Sequence, residues 1–203
     1  AAADRGSETG RTRALGQLRT LFVAGFPYTV SFLILILGVA MGTVITFIPS
    51  VVLDAGLERI RPFFVAYPLA IIGVRVAMTG VLDRVPKHAL VVGPLIGLPA
   101  TLLLIPTVGS PAGLAAVGAL YGLSHGILSP VLVSTFLSRA SDAQQGRMST
   151  VFQLLFNLGT FVAANAGGLL AEIHVHWTFI AAGGLALFAS AAAVTRLRRL
   201  GIR

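Results

Sequence analysis

Gly122-Leu123-Ser124-His125-Gly126 satisfies G-x-S-x-G, the pattern in which a serine hydroxyl serves as nucleophile, and Asp142 with His174 or His176 follows in the order of a hydrolase triad. That chemistry requires the serine on a sharp turn between a strand and a helix. Here the pattern lies inside an apolar run that reads as one uninterrupted helix. An intramembrane serine hydrolase is the enzymatic reading that survives, because a buried serine and histidine suffice for it. The chain is not expected to be an enzyme.

Other residues carry different chemistry. Tyr121, His125 and Ser129 recur at i, i+4 and i+8, so they share one helical face and can turn polar atoms into a cavity. A histidine there can accept a proton or bind a substrate, or stay neutral and hydrogen-bond across helices. Gly118, Gly122 and Gly126 form the adjacent line, where a neighbouring helix can approach closely. Pro130 breaks a backbone hydrogen bond just beyond, which is tolerated where neighbours or cavity water satisfy the freed carbonyl. Gln153, Asn157 and Thr160 make a second polar stripe, with Asn165 somewhat off its line. Amides facing lipid are unfavourable, so this stripe should meet protein or a water-filled cavity. Thr43 and Thr46 are weaker pathway candidates, since a threonine hydroxyl can bond its own helix. Gly38 and Gly42 read as packing positions or as a flexible point.

Arg75 is the sharpest signal. A guanidinium within hydrocarbon costs on the order of 2.5 to 3.5 kcal/mol on insertion scales and demands a partner or a route to water. It precedes Asp83 by about 12 Å of helix, within reach of a side chain that snorkels to the interface. The alternative role is a gating or substrate-binding charge. No apolar span carries a carboxylate, so an acidic partner must come from a loop, another chain or a ligand.

The elements that position these residues follow from composition. The 203 residues are 56% hydrophobic and 11% charged, and the mean hydropathy is +0.90. A soluble domain would carry roughly 25% charged residues. Stretches without an acidic, basic or histidine side chain run from Leu21 to Leu53, Ala89 to Ser124, Met148 to Ala171 and Trp177 to Thr195. Each reaches the roughly 18 to 20 residues that cross a hydrocarbon core. Proline, glycine and charge divide the chain into six spans, about Tyr28 to Leu53, Pro62 to Leu82, Ala89 to Thr107, Ala112 to Leu137, Met148 to Ala171 and Trp177 to Thr195. Pro27 suits the first turn of the first span. Residues 1–20 lack the order of a signal peptide and read as a cytoplasmic linker continuing from something longer, with residues 21–203 as the bundle.

The formal charge of +8 would suggest nucleic acid in a soluble protein. Instead it segregates. With six spans, the side holding the termini carries Arg5, Arg11, Arg13, Arg19, Arg84, Lys87, Arg139, Arg147, Arg196, Arg198, Arg199 and Arg203, and the other side only Arg59 and Arg61. The positive-inside rule then makes both termini cytoplasmic. Cysteine is absent, so disulfides and thiolate metal sites are excluded. No Walker glycine-lysine pattern and no cluster of metal ligands is expected, and no cofactor.

Several pieces in order resemble one family. Arg75 followed by Gly80-Val81-Leu82-Asp83-Arg84 is similar to the loop signature after the second helix of each half in the major facilitator superfamily, although Pro86-Lys87-His88 replaces its usual glycine and basic pair. Phe63-Phe64-Val65-Ala66-Tyr67, Tyr121 to Pro130, and Gln145-Gly146-Arg147 leading to Asn157-Leu158-Gly159 match the same pattern. The chain thus resembles the C-terminal six-helix half of a bacterial efflux-type member over about two thirds of its length. The resemblance implies two inverted three-helix repeats, an N-terminal half as partner, a small-molecule substrate bound near the midplane between halves, and alternating access, with proton-coupled efflux and the inner membrane as the setting. It further implies that Asp83, with Gly80 and Arg84, belongs to a cytoplasmic gate in which Asp83 caps the fifth helix near Gly146 to Met148. Tyr67 joins Thr43, Thr46, Tyr121, His125, Gln153 and Asn157 as pathway residues. Gly42 to Pro49 also resembles Gly122 to Pro130 with a one-residue slip, as related repeats would. A self-contained six-helix protein that homodimerises into a transporter or channel is the alternative.

Overall fold

The computed structural model describes residues 28–81, 87–138 and 141–196. Six helices follow one another, each long and apolar enough to cross a membrane. They are α1 (Tyr28–Asp54), α2 (Arg61–Val81), α3 (Lys87–Leu104), α4 (Pro111–Leu137), α5 (Gln145–Ala171) and α6 (Val175–Arg196). One-turn 3₁₀ segments cover Ile105–Thr107 and Asp142–Gln144. No strand occurs among the described residues. This is an all-α, multi-pass membrane bundle. Residues 1–27, including the linker, Pro27 and the stretch from Leu21 to Phe26, lie outside the described residues, as do Asp83 and Arg84.

Helix ends overshoot the apolar runs. α5 starts at Gln145 rather than Met148, and α6 at Val175 rather than Trp177. Hydropathy marks the depth of hydrocarbon, whereas intrahelical hydrogen bonding continues through the interface until a cap or turn residue stops it. Ser110 supplies such a cap: its hydroxyl accepts from the Gly113 N–H at 3.1 Å, with Pro111 as the first helical residue. α1 ends in a Schellman turn. Gly56 adopts φ 66°, its N–H donates to Leu53 O at 3.0 Å, and the Leu57 N–H donates to Val52 O at 2.9 Å.

The packing has internal symmetry. α1 runs along α5 and α2 along α4, α1 and α4 meet at the centre, and α3 and α6 back the bundle against α4, α1 and each other. Exchanging α1, α2, α3 for α4, α5, α6 maps these pairings onto themselves. Three helices per repeat turn the second repeat upside down, so the bundle is an inverted pair.

Glycine sets the distance at both main seams. A Cβ on Gly118 would lie 2.9 Å from Phe63 O, one on Gly122 would meet Tyr67 O, and one on Gly126 would lie 3.3 Å from Ile71 Cα. Phe63, Tyr67 and Ile71 are themselves spaced i, i+4, i+8, so two matching lines zip α4 to α2. Across the symmetry-related seam, Gly38 meets the backbone of Phe156 on α5, and Gly42 meets Thr160 and Ala163. Gly38 and Gly42 are therefore packing positions. The equivalence of Gly42 and Gly122 agrees with the similarity of their surrounding segments.

Coverage is uneven. Buried residues make up 72% of the central span of α1 but only 17% of those of α2 and α5. The two least covered helices are symmetry mates.

Candidate functional site

Residues of α1, α2 and α4 build an aromatic box. Tyr67 and Phe63 of α2 stack with centroids 6.1 Å apart, and Tyr121 of α4 lies 5.5 Å from Tyr67. His125 stacks on Tyr121 at 5.8 Å with 15° between planes, and lies 6.2 Å from Tyr67. The helical spacings make the box: 63 and 67 on one helix and 121 and 125 on the other are one turn apart, and the glycine line beside them draws the two backbones together.

Both tyrosine hydroxyls donate to the same acceptor, Met41 Sδ in the middle of α1, at 3.6 Å from Tyr67 and 3.7 Å from Tyr121. A thioether is a weak acceptor. The phenols are thus oriented while keeping most of their hydrogen-bonding capacity. His125 Nε2 is buried with no hydrogen-bond partner. An orphaned buried polar atom costs about 1 to 3 kcal/mol, which proteins retain where the group has another task. Arg75 stands two turns beyond Tyr67 on α2. The guanidinium is exposed on this chain and forms no ion pair among the described residues. Two phenols and an imidazole therefore share one largely buried cluster, with Tyr121 fully enclosed, while the guanidinium stands exposed about 12 Å of helix along α2.

The other pathway candidates are dispersed. Thr43 is only 2% exposed within the bundle, while Thr46 is exposed on α1. On α5, Gln153 and Asn157 are exposed, but Thr160 turns inward, its hydroxyl 3.2 Å from Gly38 O across the seam and 3.2 Å from Phe156 O on its own helix. Asn165 donates to Phe161 O at 2.8 Å on its own helix. The single polar stripe expected on α5 thus divides, one residue tying helices together and two left facing outward. Gly80 lies in the last turn of α2. Phe63 and Met41 were not singled out as site residues. The motif carrying Phe63 was visible, but nothing in the sequence marks Met41.

The hydrolase constellation comes apart. Ser124 is buried against Gly97 of α3, whereas His125 turns to Tyr67 of α2. His174 and His176 lie at the opposite end of α5 from Asp142, roughly 40 Å of helix away.

The orphaned nitrogen makes a stability prediction. His125→Phe keeps the stack on Tyr121 and removes the unpaired Nε2, so the bundle should gain about 1 kcal/mol in reversible unfolding in detergent. A loss of stability would mean that Nε2 is satisfied in the membrane and that the box is closed packing.

No family model matches the chain, and no curated protein matches it significantly.

Proposed function

We infer that this chain is the C-terminal six-helix half of a small-molecule transporter of the major facilitator type. It works by alternating access against an N-terminal half, with proton-coupled efflux the mode favoured by the sequence resemblance. The observation that carries this reading is the uncovered face of α2, which carries Arg75 within an apolar helix, next to an aromatic box with an unsatisfied imidazole nitrogen. A bundle that only packs against itself has no use for an exposed charge within an apolar helix and an orphaned buried nitrogen. Exposed Gln153 and Asn157 on α5, the symmetry mate of α2, extend the demand for a polar or protein neighbour. On this reading both termini are cytoplasmic, and α2 and α5 form the wall that meets the other half, with substrate between.

Asp83→Asn in the complete transporter tests the gate. A carboxylate at a helix N-terminus contributes roughly 1 to 2 kcal/mol when partly buried, so losing it should slow transport by about 5- to 30-fold at unchanged membrane abundance. Wild-type transport by this variant, measured in everted vesicles, would sink the gating role. A homodimer of self-contained six-helix chains would cover the same faces. The coding sequence upstream of Ala1 separates the readings: six further spans ending in an arginine-bearing loop favour the half-transporter, and a start codon beside Ala1 favours the dimer.

A further inference from the structure

A second group of side chains lies away from the aromatic box, where α1 stops and α6 begins. Asp54 closes α1, and His174 and His176 flank the start of α6 after the tight turn from α5. His176 Nε2 lies 3.1 Å from Asp54 Oδ2. The imidazole rings of His174 and His176 have centroids 4.5 Å apart, and the His176 N–H donates to His174 Nδ1 at 3.3 Å. One potential ligand atom from each of the three residues falls within 4.8 Å of the other two. In sequence they show only as His-x-His and a distant aspartate, and no ligand cluster was expected. The fold brings the end of α1 to the α5–α6 turn, and with it the three side chains together.

We propose that Asp54, His174 and His176 form a binding site for a divalent transition-metal ion of the zinc type. Donors about 2.1 Å from an ion at the tetrahedral angle stand roughly 3.4 Å apart, so atoms within 4.8 Å of one another need draw together by no more than about 1.4 Å. Two imidazoles with one carboxylate select zinc, cobalt or nickel over magnesium and calcium, which prefer oxygen-only shells. Three protein ligands leave a fourth position for water or an anion. An ion pair between His176 and Asp54 explains two of the residues and contributes little at a half-exposed surface. His174 is held beside them by the hydrogen bond from the His176 N–H, which sets a third donor group against the pair. A bound ion would tie the end of α1 to the start of α6 and restrain the central helix of the bundle at that end. This site does not depend on the transport reading.

The test uses the full chain in lipid nanodiscs, with zinc binding by calorimetry, cobalt coordination by visible absorption, and magnesium as the competing hard cation. The expected result is one equivalent of zinc at micromolar affinity, unaffected by millimolar magnesium, with visible cobalt bands and a melting temperature that rises with zinc. His174→Gln and Asp54→Asn should each weaken zinc binding by at least about tenfold and remove the cobalt bands, with far-UV circular dichroism unchanged. The proposal is overturned if the unmodified chain binds no more zinc than the combined Asp54→Asn, His174→Gln, His176→Gln variant. It is equally overturned if binding is lost in His88→Gln or His125→Phe instead.

Discussion

Gly38→Ala should destabilise the bundle by about 3 kcal/mol, and Gly38→Leu should prevent α1 from docking on α5 at all. The seam between these helices is closed by mutual intrusion: a Cβ on Gly38 would strike the Phe156 carbonyl, and one on Gly159 would strike the Leu35 carbonyl and lie 2.9 Å from Val39 N. What each added carbon meets is backbone, which cannot rotate aside, so the cost sits at or above the upper end of ordinary overpacking. The Thr160 hydroxyl bond to Gly38 O would be displaced as well. Burial of apolar surface cannot compensate, because lipid tails are as apolar as the helix face. Association in the membrane rests on close packing and interhelical hydrogen bonds, and both are lost here. Gly73→Ala is the control. A Cβ there meets nothing within 4 Å, and alanine is the better helix former, so its effect should be neutral or slightly stabilising. Reversible unfolding in mixed detergent micelles, followed by far-UV circular dichroism, reads both. Equal small effects for Gly38→Ala and Gly73→Ala would show that the seam is looser than the geometry implies.

The number and order of helices were legible because hydrocarbon imposes length and composition on a span whatever it packs against. The glycine lines were legible too, since a run of glycines one turn apart has few purposes inside a membrane. Orientation about each helix axis was not. In water an apolar stripe marks the buried face, but here lipid-facing and protein-facing sides are both apolar and the contrast vanishes. That is why Thr160 could not be told from Gln153 and Asn157, although one bonds across a seam and the others face outward. Tyr121 posed the same problem. Its polar line suggested a cavity, yet the ring is fully buried, with its hydroxyl on Met41. The convergence of Asp54, His174 and His176 depends on which helix ends meet, a property of the three-dimensional pairing that spacing along the chain does not carry.

On the transporter reading proposed above, Arg75→Ala should move stability and transport in opposite directions. Removing a guanidinium from an apolar helix relieves an insertion cost on the order of 2.5 to 3.5 kcal/mol, so membrane abundance should hold or rise. Snorkelling predicts the same gain: the end of α2 at Val81 is about 9 Å of helix away, within reach of a long side chain. The two roles separate on transport. Arg75 stands two turns from Tyr67 on α2, with its guanidinium on the uncovered side of the bundle. If it holds a substrate or gate group there, Arg75→Ala removes a charge-assisted hydrogen bond of about 1.5 to 3 kcal/mol, and efflux in everted vesicles should fall roughly 10- to 100-fold. Arg75→Lys keeps the charge but not the planar fork and should fall between. An alanine variant that exports as fast as the parent would leave Arg75 as a snorkelling residue. A variant that loses transport while gaining stability has given up a residue kept for function at the expense of the fold, the pattern expected of a binding charge in a membrane interior.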